Sequence, residues 1–305
     1  MILSENSDDF YNAITAVETE YNSDIYLFSG SISEGNYGEL IAQVKKPREH
    51  QSALVIMSTY GGDANAGFKI SRLFQDMYET HTLYVPRFCY SAGTLIALGA
   101  NKLLLDSFSE MGPLDVQLQK PNEIGGRKSG LLSRSAFESA GQEAFALFEQ
   151  FMLGIKRKSG GAVTFEMAAQ IASQMATNIV SPMIAKIDPD VVGSDYRDLN
   201  VATEYGIRLA EIGENVENGT VEALVSRYPS HDFIIDQREA NKLFKRIDQP
   251  SEALYVLVGA VSKFAFDQAN PPVIKKVEKP DAPTDQKQGP KKRTKRTESE
   301  DQSES

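Results

Sequence analysis

Cys89-Tyr90-Ser91-Ala92-Gly93-Thr94 stands at the end of an apolar run, and upstream of it a second apolar run ends in Gly61-Gly62-Asp63. Each run reads as a buried strand that passes directly into a helix. A serine at such a junction exposes its hydroxyl, and the first N–H groups of the helix have no intrahelical acceptor. The glycine pair supplies a second loop whose backbone can come close to a bound carbonyl, because no side chain intervenes. Together the two loops are a candidate nucleophile and oxyanion hole.

Around them, short extended segments are expected at 24–29, 53–58, 83–88, 102–106 and 114–118. Between the second and third, Ala66, Ile70, Leu73, Phe74 and Met77 recur at helical spacing, which lays one face of a helix over 64–78 against a sheet. Strands and helices in this order predict an α/β layered core. From about 135 the character changes. Phe137, Ala144, Phe148, Met152 and Ile155 mark one long helix, 164–184 a second, and Val201, Tyr205, Leu209 and Ile212 a third. A helical insertion over about 135–213 therefore precedes a last segment at 233–247, all within one domain spanning 1–266. The aromatic stripe of 137–151 reads as helix-packing core, with a subunit interface as the other reading.

The chain has 305 residues, 41% of them hydrophobic, enough to bury a full core. A single cysteine excludes an internal disulfide framework and fits a reducing compartment. The apolar stretches are strand-sized, and no N-terminal segment has the charge and apolar pattern of a secretory signal. A soluble, cytoplasmic protein without a membrane partner is expected. The net charge of −10 argues against non-specific nucleic-acid binding by the globular part. Over 267–305 the sequence turns rich in Pro, Lys, Glu and Ser, with a basic cluster from Lys291 to Arg296. Too few apolar groups remain to offset the ordering entropy, so this tail is expected to be disordered. Its basic cluster reads as a solvated tail, with nucleic acid or an acidic partner as the alternative.

The 54–63 run with its Gly-Gly, the Ser-Ala-Gly at 91–93, Leu98-Gly99-Ala100 and Ile235-Asp236-Gln237-Arg238-Glu239-Ala240 resemble the Clp protease and crotonase superfamily. Met111-Gly112-Pro113-Leu114-Asp115 and Ser230-His231-Asp232-Phe233 are most similar to its serine dehydrogenase proteinase branch, related to signal peptide peptidase A. The resemblance spans about 24–248 and implies an α/β spiral of ββα units, a serine endopeptidase acting on peptide or protein substrates, and closed or stacked homo-oligomers. Phe148, Phe151 and Met152 on the long helix are the surface expected to build the contacts.

By that resemblance Ser91 is the nucleophile and the backbone N–H groups of Gly62 and Ala92 are the oxyanion donors. An N-cap serine and a tight turn are the plainer readings of the same residues. The base is open. His50 and His81 precede strands at the end of the sheet away from Ser91, which leaves His231. Asp115 falls near the position of the Clp triad histidine and Asp232 at that of its aspartate, so a triad of Ser91, His231 and Asp115 with exchanged partners is admissible, Asp232 being an alternative orienting acid. The rival is a serine–lysine dyad with Lys128 as base. Cys89 reads as a core residue. No cofactor or metal site is read, because no Cys/His cluster has metal spacing and Asp188-Pro189-Asp190 lacks the further ligands of a calcium loop. A catalytically inactive scaffold and a crotonase-type acyl-CoA enzyme remain as other functions. An α/β-hydrolase elbow is only half matched, since Cys89 stands where that motif has glycine.

Overall fold

The computed structural model describes residues 7–114, 130–186, 188–230, 232–266 and 271–279. In chain order its elements are α1 (Ser7–Tyr21), β1 (Ser23–Ser29), α2 (Glu34–Val44), β2 (Ser52–Ser58), α3 (Ala64–Met77), β3 (Thr80–Val85), β4 (Phe88–Cys89), α4 (Ala92–Leu98), β5 (Lys102–Leu105) and β6 (Glu110–Met111). They continue with α5 (Gly130–Lys158), α6 (Phe165–Ile184), α7 (Pro189–Gly213), α8 (Thr220–Ser226), α9 (Gln237–Ala240), β7 (Ile247–Asp248), α10 (Glu252–Ala265) and β8 (Val273–Val277).

Strand alternation builds the layers. Along β1, Tyr26 and Phe28 face one side of the sheet while Ile25 and Leu27 face the other; along β2, Val55 and Met57 oppose Leu54 and Ile56. The first side packs on α3 and α4 through Ile70, Phe74, Leu95 and Ile96. The second is covered by α1 and α10 through Ile14, Val17, Leu254 and Leu257. Both faces of the strands are thus buried, as a sheet of parallel strands requires. The strand order is β7-β5-β3-β2-β1-β8, parallel throughout except for the antiparallel β1–β8 pair. The expected α/β class holds, with a mostly parallel sheet.

A second, two-stranded sheet joins β4 to β6 in parallel at the end of the main sheet that bears the glycine turn. Thr59 bridges to Cys89 on one side of it, and Met111 bridges antiparallel to Ile235 on the other. This small platform carries the chain from β2, β4, β6 and the 232–235 segment into one place.

Two sequence expectations change. The tail was to be disordered from 267, but Val273–Val277 is an edge strand paired with β1. The Lys276 ammonium is buried against the Asp24 carboxylate at 3.1 Å and also donates to the Pro47 carbonyl, so a residue that reads as solvated charge is anchored in the fold. Residues 280–305, with the basic cluster, lie outside the described residues. The strand expected at 114–118 is not seen at Leu114, and the rest of it lies outside the described residues. Among the described residues, no helix is long and apolar enough to cross a membrane.

Candidate active site

Ser91 sits between β4 and α4 with φ 52° and ψ −113°, one of three described non-glycine residues with positive φ. That backbone is sparsely populated for a residue with a Cβ and costs on the order of 1–3 kcal/mol. The neighbours hold it there. Tyr90 N–H donates to the Thr59 carbonyl at 3.0 Å, Gly93 N–H to the Tyr90 carbonyl at 2.9 Å, and Leu95 N–H to the Ser91 carbonyl at 3.1 Å. Behind the turn, the buried Thr94 hydroxyl donates to the Gly112 carbonyl at 2.7 Å and so ties α4 to the segment after β6. The serine is half-buried, whereas all of α4 behind it is buried.

The facing loop leaves β2 through Thr59. Its hydroxyl accepts the Gly61 N–H at 3.0 Å, and the Gly61 carbonyl accepts the Ile32 N–H at 2.9 Å. Asp63 then caps α3, its carboxylate accepting the Ala66 N–H at 2.8 Å. Gly61 and Gly62 have φ of 91° and 149°. A Cβ on Gly61 would meet the Tyr90 carbonyl, the Ser91 Cβ and the Ala92 nitrogen, and one on Gly62 would run into the Ile32 carbonyl. The glycines are therefore required by both conformation and space. They bring the two loops into direct contact.

Among the described residues, no acceptor takes the N–H of Gly62 or of Ala92, although their neighbours Ile32, Asp63 and Gly93 are all bonded. Gly62 follows the glycine that touches the Ser91 turn, and Ala92 is the first residue of α4.

A feature not anticipated in the sequence is the aromatic wall beside these loops. Tyr60 stacks on Phe88 with ring centroids 3.9 Å apart and on Tyr90 at 5.8 Å, and Tyr60 is 53% exposed. Tyr60 immediately precedes Gly61, and Tyr90 immediately precedes Ser91. That shared position was the available signal. The Tyr90 hydroxyl donates to Glu110 at 2.6 Å; burial, then the Glu110 carboxylate, push its pKa up, and the charge of Asp232 contributes. Asp232 thus stands within electrostatic reach of the residue preceding Ser91.

The other expected participants are placed as follows. Asp115, Lys128 and His231 lie outside the described residues. The antiparallel bridge of Met111 and Ile235 joins the segments that lead to Asp115 and to His231. His50 precedes β2 and His81 lies near the start of β3, at the opposite ends of those strands from Gly61 and Ser91. Cys89 is fully buried, its thiol pushed up to about 12 by desolvation. Asp188 caps α7, accepting the Asp190 N–H at 2.9 Å.

Residues 32–124, which contain both loops, match the family of ClpP-like SDH-type serine proteinases, so the resemblance read from the sequence holds for its 54–63, 91–100 and 111–115 segments, while those at 230–240 lie outside the match. Two Methanocaldococcus jannaschii proteins, MJ1495 and MJ0137, are each 30% identical over 80 residues, 26% of this chain. The match spans 27% and 28% of those relatives' own lengths. Among solved structures, ClpP1 from Listeria monocytogenes is 12% identical, with 78% of this chain and 99% of that one covered at a TM-score of 0.32. An alanine mutant of the 1510-N membrane-bound stomatin-specific protease is 16% identical, with 48% and 69% covered at a TM-score of 0.29. Superpositions this loose add nothing to the fold described above.

Proposed function

We propose that the protein is a serine endopeptidase that hydrolyses peptide bonds through an acyl-enzyme on Ser91. The observation that carries this reading is the contact of the strained Ser91 turn with Gly61; that the N–H groups of Gly62 and Ala92 have no acceptor among the described residues supports it. Ser91 Oγ adds to the scissile carbonyl, and the developing oxyanion accepts from those two N–H groups. The base that takes the serine proton returns it to the leaving amine as the C–N bond breaks. Water, deprotonated by the same base, then adds to the ester carbon, and Ser91 leaves with the proton.

We assign the base to His231, oriented by Asp115. The support is elimination, since His50 and His81 are at the wrong ends of their strands, together with the Met111–Ile235 bridge that joins the two segments. The stacked rings of Tyr60, Phe88 and Tyr90 offer an apolar wall for a substrate side chain beside the scissile bond. The family match over 32–124 supports the protease class. A homo-oligomer and a cytoplasmic setting go with this reading, the latter supported by the lone, buried, unpaired thiol of Cys89.

The test is cleavage of an unfolded protein or a peptide library by wild type, Ser91→Ala, His231→Ala and Lys128→Ala. Ser91→Ala should fold and lose several orders of magnitude in rate, His231→Ala should lose nearly as much, and the wild-type rate should rise with pH through roughly 6–7.5. Loss of turnover in Lys128→Ala with His231→Ala unaffected would replace the triad by the dyad. Undiminished cleavage by folded Ser91→Ala would reject the peptidase mechanism.

A further inference from the structure

Helix α6 packs on α5 through one narrow row, Ala168, Ala172, Ala176 and Val180, all buried. A second row with the same four-residue spacing, Met167, Ile171, Met175, Ile179 and Met183, is 40–55% exposed. Such rows follow the ridge by which one helix interdigitates with another. The row is also free of charge around it: from 167 to 185 the sequence has no Asp, Glu, Lys or Arg. Phe148, Phe151 and Met152 on α5, the surface expected from the sequence, are half-buried and so less exposed than this row.

We propose that the exposed row of α6 is the surface on which a second copy of this chain docks, α6 against α6 across a two-fold axis that passes near Met175. This deepens the homo-oligomer reading by naming the contact. Area is the first argument. At roughly 150–250 Å² for a fully exposed large side chain, the row with Phe165 and Ile184 offers on the order of 600 Å² of apolar surface, at the upper end of what a monomer leaves bare and approaching the ~800 Å² per partner of a standard interface. Charge is the second. Copies with a net charge of −10 repel across most approaches, and an uncharged helix is where two of them meet without that cost. Symmetry is the third, since a two-fold contact buries the same patch on both partners and a single ridge packed against its own copy at about −50° is self-complementary.

The test uses the full chain in light scattering coupled to size exclusion at micromolar concentration. Wild type should run at an even multiple of 33.6 kDa, and the Ile171→Glu/Ile179→Glu double variant at half that mass or less, with unchanged helical circular dichroism. Because Cys89 is buried, Met175→Cys presents the one reachable thiol, and mild oxidation should link it into a dimer, whereas Glu222→Cys on α8 should stay unlinked. Wild type at 33.6 kDa throughout, or a double variant that keeps the wild-type mass, would overturn the proposal. Should the double variant fail to fold, absence of the Met175→Cys dimer overturns it. Monomeric protein that floats with phosphatidylcholine vesicles would assign the row to a lipid surface instead, with the same consequence. No arm reads peptide cleavage, so the contact stands or falls independently of Ser91.

Discussion

A Cβ placed on Gly61 would lie 2.9 Å from the Cβ of Ser91, with the Tyr90 carbonyl 2.7 Å away on the same side. The two loops of the candidate site therefore touch with no room for a methyl group. Gly61→Ala adds that methyl at a φ of 91°, where an L-residue is strained. It should cost more than about 2 kcal/mol of stability and displace Ser91. Urea unfolding monitored by circular dichroism measures the cost; a midpoint equal to wild type would show that the loops give way.

Ser91 itself pays a conformational penalty that glycine would not. Ser91→Gly should abolish cleavage yet be more stable than Ser91→Ala by about 1 kcal/mol, because alanine keeps the Cβ in the same backbone. Denaturant midpoints of the two inactive variants make the comparison. Equal midpoints would mean that the turn is not strained.

Much of this site was legible because its chemistry lies in short, contiguous segments. Gly61, Gly62, Asp63 and Ser91 each lie within five residues of a strand end, and the apolar runs before them set the strands. What escaped was assembled from a distance. Helices α1 and α10 cover the second face of the sheet from opposite ends of the chain, and neither announces a partner. Strand β8 reads as tail because Lys275 and Lys276 look solvated; only folding reveals that Lys276 meets Asp24. The aromatic wall likewise needs β2 and β4 side by side before Tyr60 and Tyr90 become neighbours.

The Asp24–Lys276 pair gives a direct check on that correction. Asp24 also accepts from the Tyr78 hydroxyl at 2.8 Å and from the Glu49 N–H at 3.2 Å, and Tyr78 in turn shares a 2.6 Å hydrogen bond with Tyr26. Lys276→Met leaves the carboxylate buried without its cation and should cost about 3 kcal/mol, part of which Asp24→Asn should restore in the double variant. Thermal unfolding of the single and double variants is the measurement. An unchanged Tm in Lys276→Met would mean that this pair does not hold β8.

His81 predicts an acid limit. Its ring is buried against Phe74, neither ring nitrogen has a partner among the described residues, and desolvation lowers its pKa from 6.5 to about 4. The unfolded chain therefore takes up a proton at a pH where the folded chain does not. The stabilising contribution is complete above the unfolded value and is lost as pH falls from about 6.5 towards 4, to a total of roughly 3 kcal/mol. Stability measured across that window should fall less steeply in His81→Phe. The same slope in both proteins would remove His81 as the cause.

The most direct test of the central claim is covalent. A fluorophosphonate needs only an activated serine and oxyanion donors, not the right peptide. Incubated with the wild-type protein, it should leave an adduct whose mass maps by peptide digestion to Ser91, with no labelling of folded Ser91→Ala. An adduct on another residue, or equal labelling of Ser91→Ala, would contradict the account.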